Sequence, residues 1–154
     1  FRAAGGTDAG IGAAFAAAAL AMGAAAFDFA ARDWARQLAP FDPRAAYLDA
    51  LRRVAPDAPI RLVHLAGLAV QVCRARWRPF GWHLEAAYAD GVPEDEMAEA
   101  ISLAMFPGSV PYFVEACAEW RRLILDGALP ASPRYQSWAR LTGQGGHDEA
   151  RGAR

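Results

Sequence analysis

Residues 76–111 read RWRPFGWHLEAAYADGVPEDEMAEAISLAMFPGSVP, and this stretch decides the fold class. Pro79 and Gly81 punctuate its start. Residues 82–90 then carry a helical pattern that stops at Gly91, a residue suited to a left-handed cap. Pro93 opens the next helix, with Glu94, Asp95 and Glu96 in the first turn, where carboxylates meet the positive end of the helix dipole. That helix runs through Met97, Ile101 and Met105 to about Phe106. Pro107, Gly108 and Pro111 make the following break, and a last helix is expected over about 111–126, ending at Gly127. No run alternates apolar and polar residues over strand length, so the expectation is an all-α fold.

Upstream, residues 60–76 (IRLVHLAGLAVQVCRAR) form the most apolar segment. Leu62, Val63, Leu65, Leu68, Val70 and Val72 cover more than one face, which predicts a central, mostly buried helix. Asp42 before Pro43 reads as a helix cap with proline in the first turn. About ten helical residues follow, with Tyr47, Leu48, Leu51 and Val54 on one side, until Pro56 and Pro59. Residues 12–38 are an alanine-rich helical run ending in Phe27, Phe29, Trp34 and Leu38. Part of it, 11–27, has the length of a leader's apolar region. Weakly hydrophobic alanine, Asp8 and the continuing pattern favour an amphipathic or buried helix instead. After Pro130 the chain is polar and rich in glycine and arginine, and it is expected to be loose past Gly143. The resulting division is an alanine-rich segment 1–39, a helical domain 40–128 and a C-terminal extension 129–154.

The 154 residues suit one domain with a proper core. All 16 basic residues are arginines, which with the alanine load suggests a GC-rich bacterial coding sequence. The formal charge is −1 and the arginines are scattered among acids, so the basic footprint of a nucleic-acid binder is missing. Cys73 and Cys117 lie far apart and read as reduced core residues. No stretch argues for a membrane span, and no Cys/His cluster argues for a metal. A cytoplasmic location is the expectation.

Within 76–111 several residues stand in fixed register: Trp77, His83, then Gly91-Val92-Pro93-Glu94-Asp95-Glu96-Met97, then Val110-Pro111. This set resembles the carboxymuconolactone decarboxylase family, without a gap over residues 77–111. The resemblance implies a compact multi-helix domain, assembly into trimers or hexamers, and chemistry on a small molecule. The related alkyl hydroperoxidase D branch carries Cys-x-x-Cys, whose places hold Arg76 and Pro79 here, and an acidic residue whose place holds His64. Arginine and proline can form neither a thiolate nor a resolving disulfide, so thiol peroxidase chemistry is disfavoured. The lactone-decarboxylating branch usually has glutamate just after the tryptophan, where Arg78 and Pro79 stand. Its aromatic-x-Gly before the Val-Pro turn is replaced by Pro107-Gly108-Ser109. Both departures bear on the substrate more than on the fold.

His83 is the leading catalytic candidate, because an imidazole can move a proton either way near neutral pH. Its alternative role is a structural histidine tying two helices. His64 lies in an apolar helix and must find a hydrogen-bond partner there, either as an acid/base partner of His83 or as a satisfied core residue. Arg76 and Arg78 flank Trp77, and this group suits a carboxylate and a planar ring, or else a solvated helix end. Trp82 and Tyr112 are candidates to wall a pocket, and Glu115 to act as a further acid or base; core packing and a wet helix face are the alternatives. His147 falls in the tail. The resemblance and these residues together lead to the expectation of a lyase or decarboxylase needing no cofactor or metal, acting on a small carboxylated or enolisable substrate. A non-catalytic oligomeric binding or assembly module, and a cyclase or isomerase of secondary metabolism, remain as alternatives. Convergence of His64, His83 and an arginine on one cavity separates the enzyme from the module.

Overall fold

The computed structural model describes residues 42–54 and 56–141, with the single positions 23, 29 and 32. The expected helix over 12–38, apart from those three positions, and the tail past 143, with His147, lie outside the described residues. The chain divides into two compact units, residues 1–60 and 61–154. Among the described residues the six regular elements are all α-helices and none is a strand. None of these helices is long and apolar enough to cross a membrane.

The first unit contributes α1 (Pro43–Val54). Asp42 caps it as the sequence predicts: its Oδ1 accepts hydrogen bonds from the backbone N–H of Arg44 at 2.9 Å and of Ala45 at 3.3 Å. Tyr47 and Ala50 are buried, whereas Val54 is exposed, so the inward face is narrower than the apolar side read from the sequence.

The second unit holds α2 (Ile60–Cys73, entering from the boundary), α3 (Trp77–Ala89), α4 (Glu94–Leu103), α5 (Val110–Leu125) and α6 (Pro133–Arg140). Helix α5 packs against α3, α4 and α6. It can do so because Ala116, Trp120, Leu123 and Ile124 recur at helical spacing and are all buried. Ser109 caps its start, accepting from the Tyr112 N–H at 3.3 Å, with proline in the first turn. A polar thread crosses the packing. The Trp120 indole donates to the Tyr88 hydroxyl at 3.2 Å, and that hydroxyl donates to Glu94 Oε1 at 2.8 Å. The same oxygen accepts from the Ser132 N–H at 2.9 Å. Burial, and then the Glu94 hydrogen bond, push the Tyr88 phenol well above its ordinary value.

Three sequence expectations are corrected. The break after α2 falls at residues 74–76, not at Pro79, which lies in the first turn of α3 where its missing N–H costs no helix bond. The polar stretch after Pro130 contains α6. This helix is tied to α5 by Arg121, whose guanidinium donates to Ala139 O at 3.1 Å and to Leu141 O at 2.9 Å. Finally, α2 is not mostly buried. Leu62 and Val70 are 54% and 50% exposed, with Ala66 exposed between them, while His64, Leu68, Gln71 and Val72 face inward.

Candidate functional site

The inward face of α2 carries the polar side chains His64 and Gln71 beside Leu68 and Val72, and His64 builds the site. His64 and Gly67 lie one turn apart on α2, and His83 sits in the middle of α3. The two imidazoles meet edge to face, with ring centroids 5.9 Å apart and planes at 70°. Both are buried, at 1% and 0% exposure. A Cβ added at Gly67 would fall 2.2, 2.4 and 2.5 Å from three atoms of the His83 ring. Glycine is therefore what lets the α2 backbone lie against that imidazole.

Asp90 follows α3 and closes the group, with His64 Nε2 and Asp90 Oδ2 2.8 Å apart. An ionised carboxylate only accepts, so Nε2 of His64 is the donor in this contact and Nδ1 is the other ring nitrogen. That Nδ1 is buried and has no hydrogen-bond partner among the described residues. Asp90 stands at the C-terminal end of its helix, where a negative charge opposes the dipole, and the His64 N–H offsets this. The carboxylate side chain is 28% exposed, so the Asp90–His64 contact runs from the surface to the interior. Burial, and secondarily the charge of His64, lower the His83 pKa to about 4. At neutral pH His83 is thus an uncharged imidazole.

The other predicted site residues are distributed around this centre. Arg76 is exposed, Trp77 is half-buried and stands edge-on to Phe80 at 6.1 Å, and Arg78 lies over the Trp82 ring at 5.4 Å. Trp82 is buried, whereas Tyr112 and Glu115 are exposed on α5. The structure therefore unites His64 and His83, and places Arg76, Tyr112 and Glu115 at the surface. Sequence reasoning missed Asp90 and Gly67. Asp90 is seven residues, two helical turns, beyond His83. Gly67 is one turn beyond His64 in the same apolar segment, a pairing of polar and smallest residue that marks a close approach.

A second feature lies elsewhere in this unit. A cleft of about 230 Å³ opens between α4, α5 and α6, walled by Ile101, Phe113, Cys117, Trp120, Tyr135 and Trp138. Both cysteines are free thiols in separate settings: Cys117 in the cleft, pushed up to about 11 by burial, and Cys73 3.5 Å from Ala104 O. No group of three or more side chains able to hold a metal gathers among the described residues. No protein-family model, curated protein or solved structure matches the chain.

Proposed function

We propose that the chain is a cofactor-independent lyase of the decarboxylase type, using His83 and His64 on a small carboxylated or enolisable substrate. The observation that carries this reading is the meeting of two histidines nineteen residues apart in sequence, one of them bonded to a carboxylate. A base oriented by a third group is the usual arrangement for moving protons in catalysis. Breaking the bond to a carboxylate leaves its electron pair on carbon as an enolate, and the carbon must then take a proton. A neutral imidazole N–H at His83 suits the first need, since it donates to an enolate oxygen without a charge of its own. His64, linked through Asp90 to solvent, suits the second as the route for the returning proton. Arg76 and Arg78 beside Trp77 are exposed and are the groups to attract the substrate carboxylate from solvent. The protein acts in the cytoplasm as a homo-oligomer of the trimeric or hexameric kind. The exposed apolar stripe of Leu62, Ala66 and Val70 supports the self-association.

The test is carbon dioxide release from a panel of keto acids and lactones. His83→Ala is expected to lower turnover by at least ~100-fold, and His83→Gln, closer in volume, guards against loss of folding. Rates near wild type in a folded variant would sink the assignment. A second reading, a non-catalytic binding or assembly module, is favoured by one observation: His83 is fully buried with its ring against Gly67. A folded, oligomeric wild-type protein that turns over no member of the panel selects that reading.

A further inference from the structure

The cleft between α4, α5 and α6 contains none of the histidine group and has its own chemistry. One wall is a nest of three aromatic rings. Trp120 and Tyr135 are stacked at 5.1 Å and 26°, and Trp138 stands edge-on to both, at 5.6 Å and 5.9 Å. Phe113 and Ile101 are apolar surfaces of the same cleft. Polar groups are present, but the protein has already engaged them. The Trp120 N–H donates to Tyr88 and the Ser102 hydroxyl to Ala98 O. The Tyr135 hydroxyl donates to Asp95, and Arg134 is held by both oxygens of that carboxylate at 2.9 Å. The Cys117 thiol is protonated at neutral pH. Arg134, the lining cation, thus already has a carboxylate partner in Asp95.

We propose that this cleft is a binding site for a flat, uncharged aromatic molecule of about two fused rings. Ring faces and edges favour stacked and edge-on aromatic partners over shapeless aliphatic ones. Size points the same way: an apolar cavity of about 150 Å³ takes one benzene, and this cleft is larger, at about 230 Å³. A charged ligand would shed its hydration and meet a cation whose partner is already in place, so the site selects against anions. Ser102 is exposed on α4 and lines the cleft, whereas its neighbour Leu103 is exposed and does not. A large side chain at the first position fills the site from outside without entering the core.

The test uses 1-naphthylamine, uncharged at neutral pH, followed by its emission on excitation through the tryptophans and by calorimetry. The full chain is expected to bind one molecule per protomer. Ser102→Trp weakens binding by roughly tenfold or more, and Leu103→Trp leaves it within about twofold. Cys117→Leu, filling from α5, repeats the loss if Ser102→Trp fails to fold. Naphthalene-1-sulfonate is expected to bind at least about tenfold more weakly. Absence of binding, equal binding to wild type and both filled variants, or equal loss in Ser102→Trp and Leu103→Trp overturns the site. A sulfonate bound as tightly as the amine overturns the uncharged class.

Discussion

At the scale of single residues, the histidine pair depends on a missing side chain. Gly67 admits the His83 ring to van der Waals contact with the α2 backbone, and any Cβ there would overlap three ring atoms. The ring is held inside α3 and is itself fully buried, so it has little room to withdraw. Gly67→Ala is therefore expected to destabilise the protein by about 3 kcal/mol. In urea this reads as a lower midpoint at unchanged slope. Because truncating the ring removes the clash, Gly67→Ala with His83→Ala is expected to lose less than the sum of the two single changes. Strict additivity would contradict the contact. Gly67 was legible only as a small residue one turn from His64; what it makes room for comes from another helix.

At the scale of elements, three helices end in the same way. After α3 the Val92 N–H donates to Ala87 O and the Gly91 N–H to Tyr88 O. After α5 the Ala128 N–H donates to Leu123 O and the Gly127 N–H to Ile124 O. After α2 the Arg76 N–H donates to Gln71 O and the Ala75 N–H to Val72 O. Each cap needs a left-handed residue, and φ is +71° at Gly91, +73° at Gly127 and +49° at Ala75. Alanine bears the strain of its Cβ in that conformation. Ala75→Gly is expected to stabilise the protein by about 1 kcal/mol. Gly91→Ala, whose Cβ would meet nothing within 4 Å, is expected to lose a similar amount. Thermal unfolding of both variants checks the pair, and a destabilised Ala75→Gly would refute the cap. The glycine caps were readable because glycine is the usual residue there. The alanine cap was not, and so the helix break was placed at Pro79. Helix α6 escaped for a different reason: Pro133–Arg140 is short and polar, and its helical state rests on packing of Tyr135 and Trp138 against Trp120.

At the scale of the whole molecule, the buried histidine couples folding to pH. His83 has a pKa of about 4 in the folded protein against an ordinary 6.5. Between those values the unfolded chain binds a proton that the folded one excludes, so stability falls as pH falls. Well above pH 6.5 both states are neutral at this residue and its contribution is flat. Between pH 7 and pH 5 the loss is expected to be about 2 kcal/mol. Urea midpoints measured at both pH values test this. His83→Gln is expected to flatten the difference, and an unchanged slope in that variant would locate the pH dependence elsewhere.

The sequence by itself determined the all-α class, the capped and acid-opened helices between Gly91 and Gly127, and the choice of His64 and His83 as residues to watch. Those features are local: helical period, left-handed caps and the helix dipole act within a few residues. Tertiary structure decided which face of α2 turns inward, that Asp90 bonds His64, that Gly67 meets His83, and that aromatic residues of α5 and α6 line a cleft. Each of these is a contact between residues on different elements. Hydrophobic pattern fixes which residues prefer burial. Which polar group accompanies them inside depends on whether a partner from another helix satisfies it there.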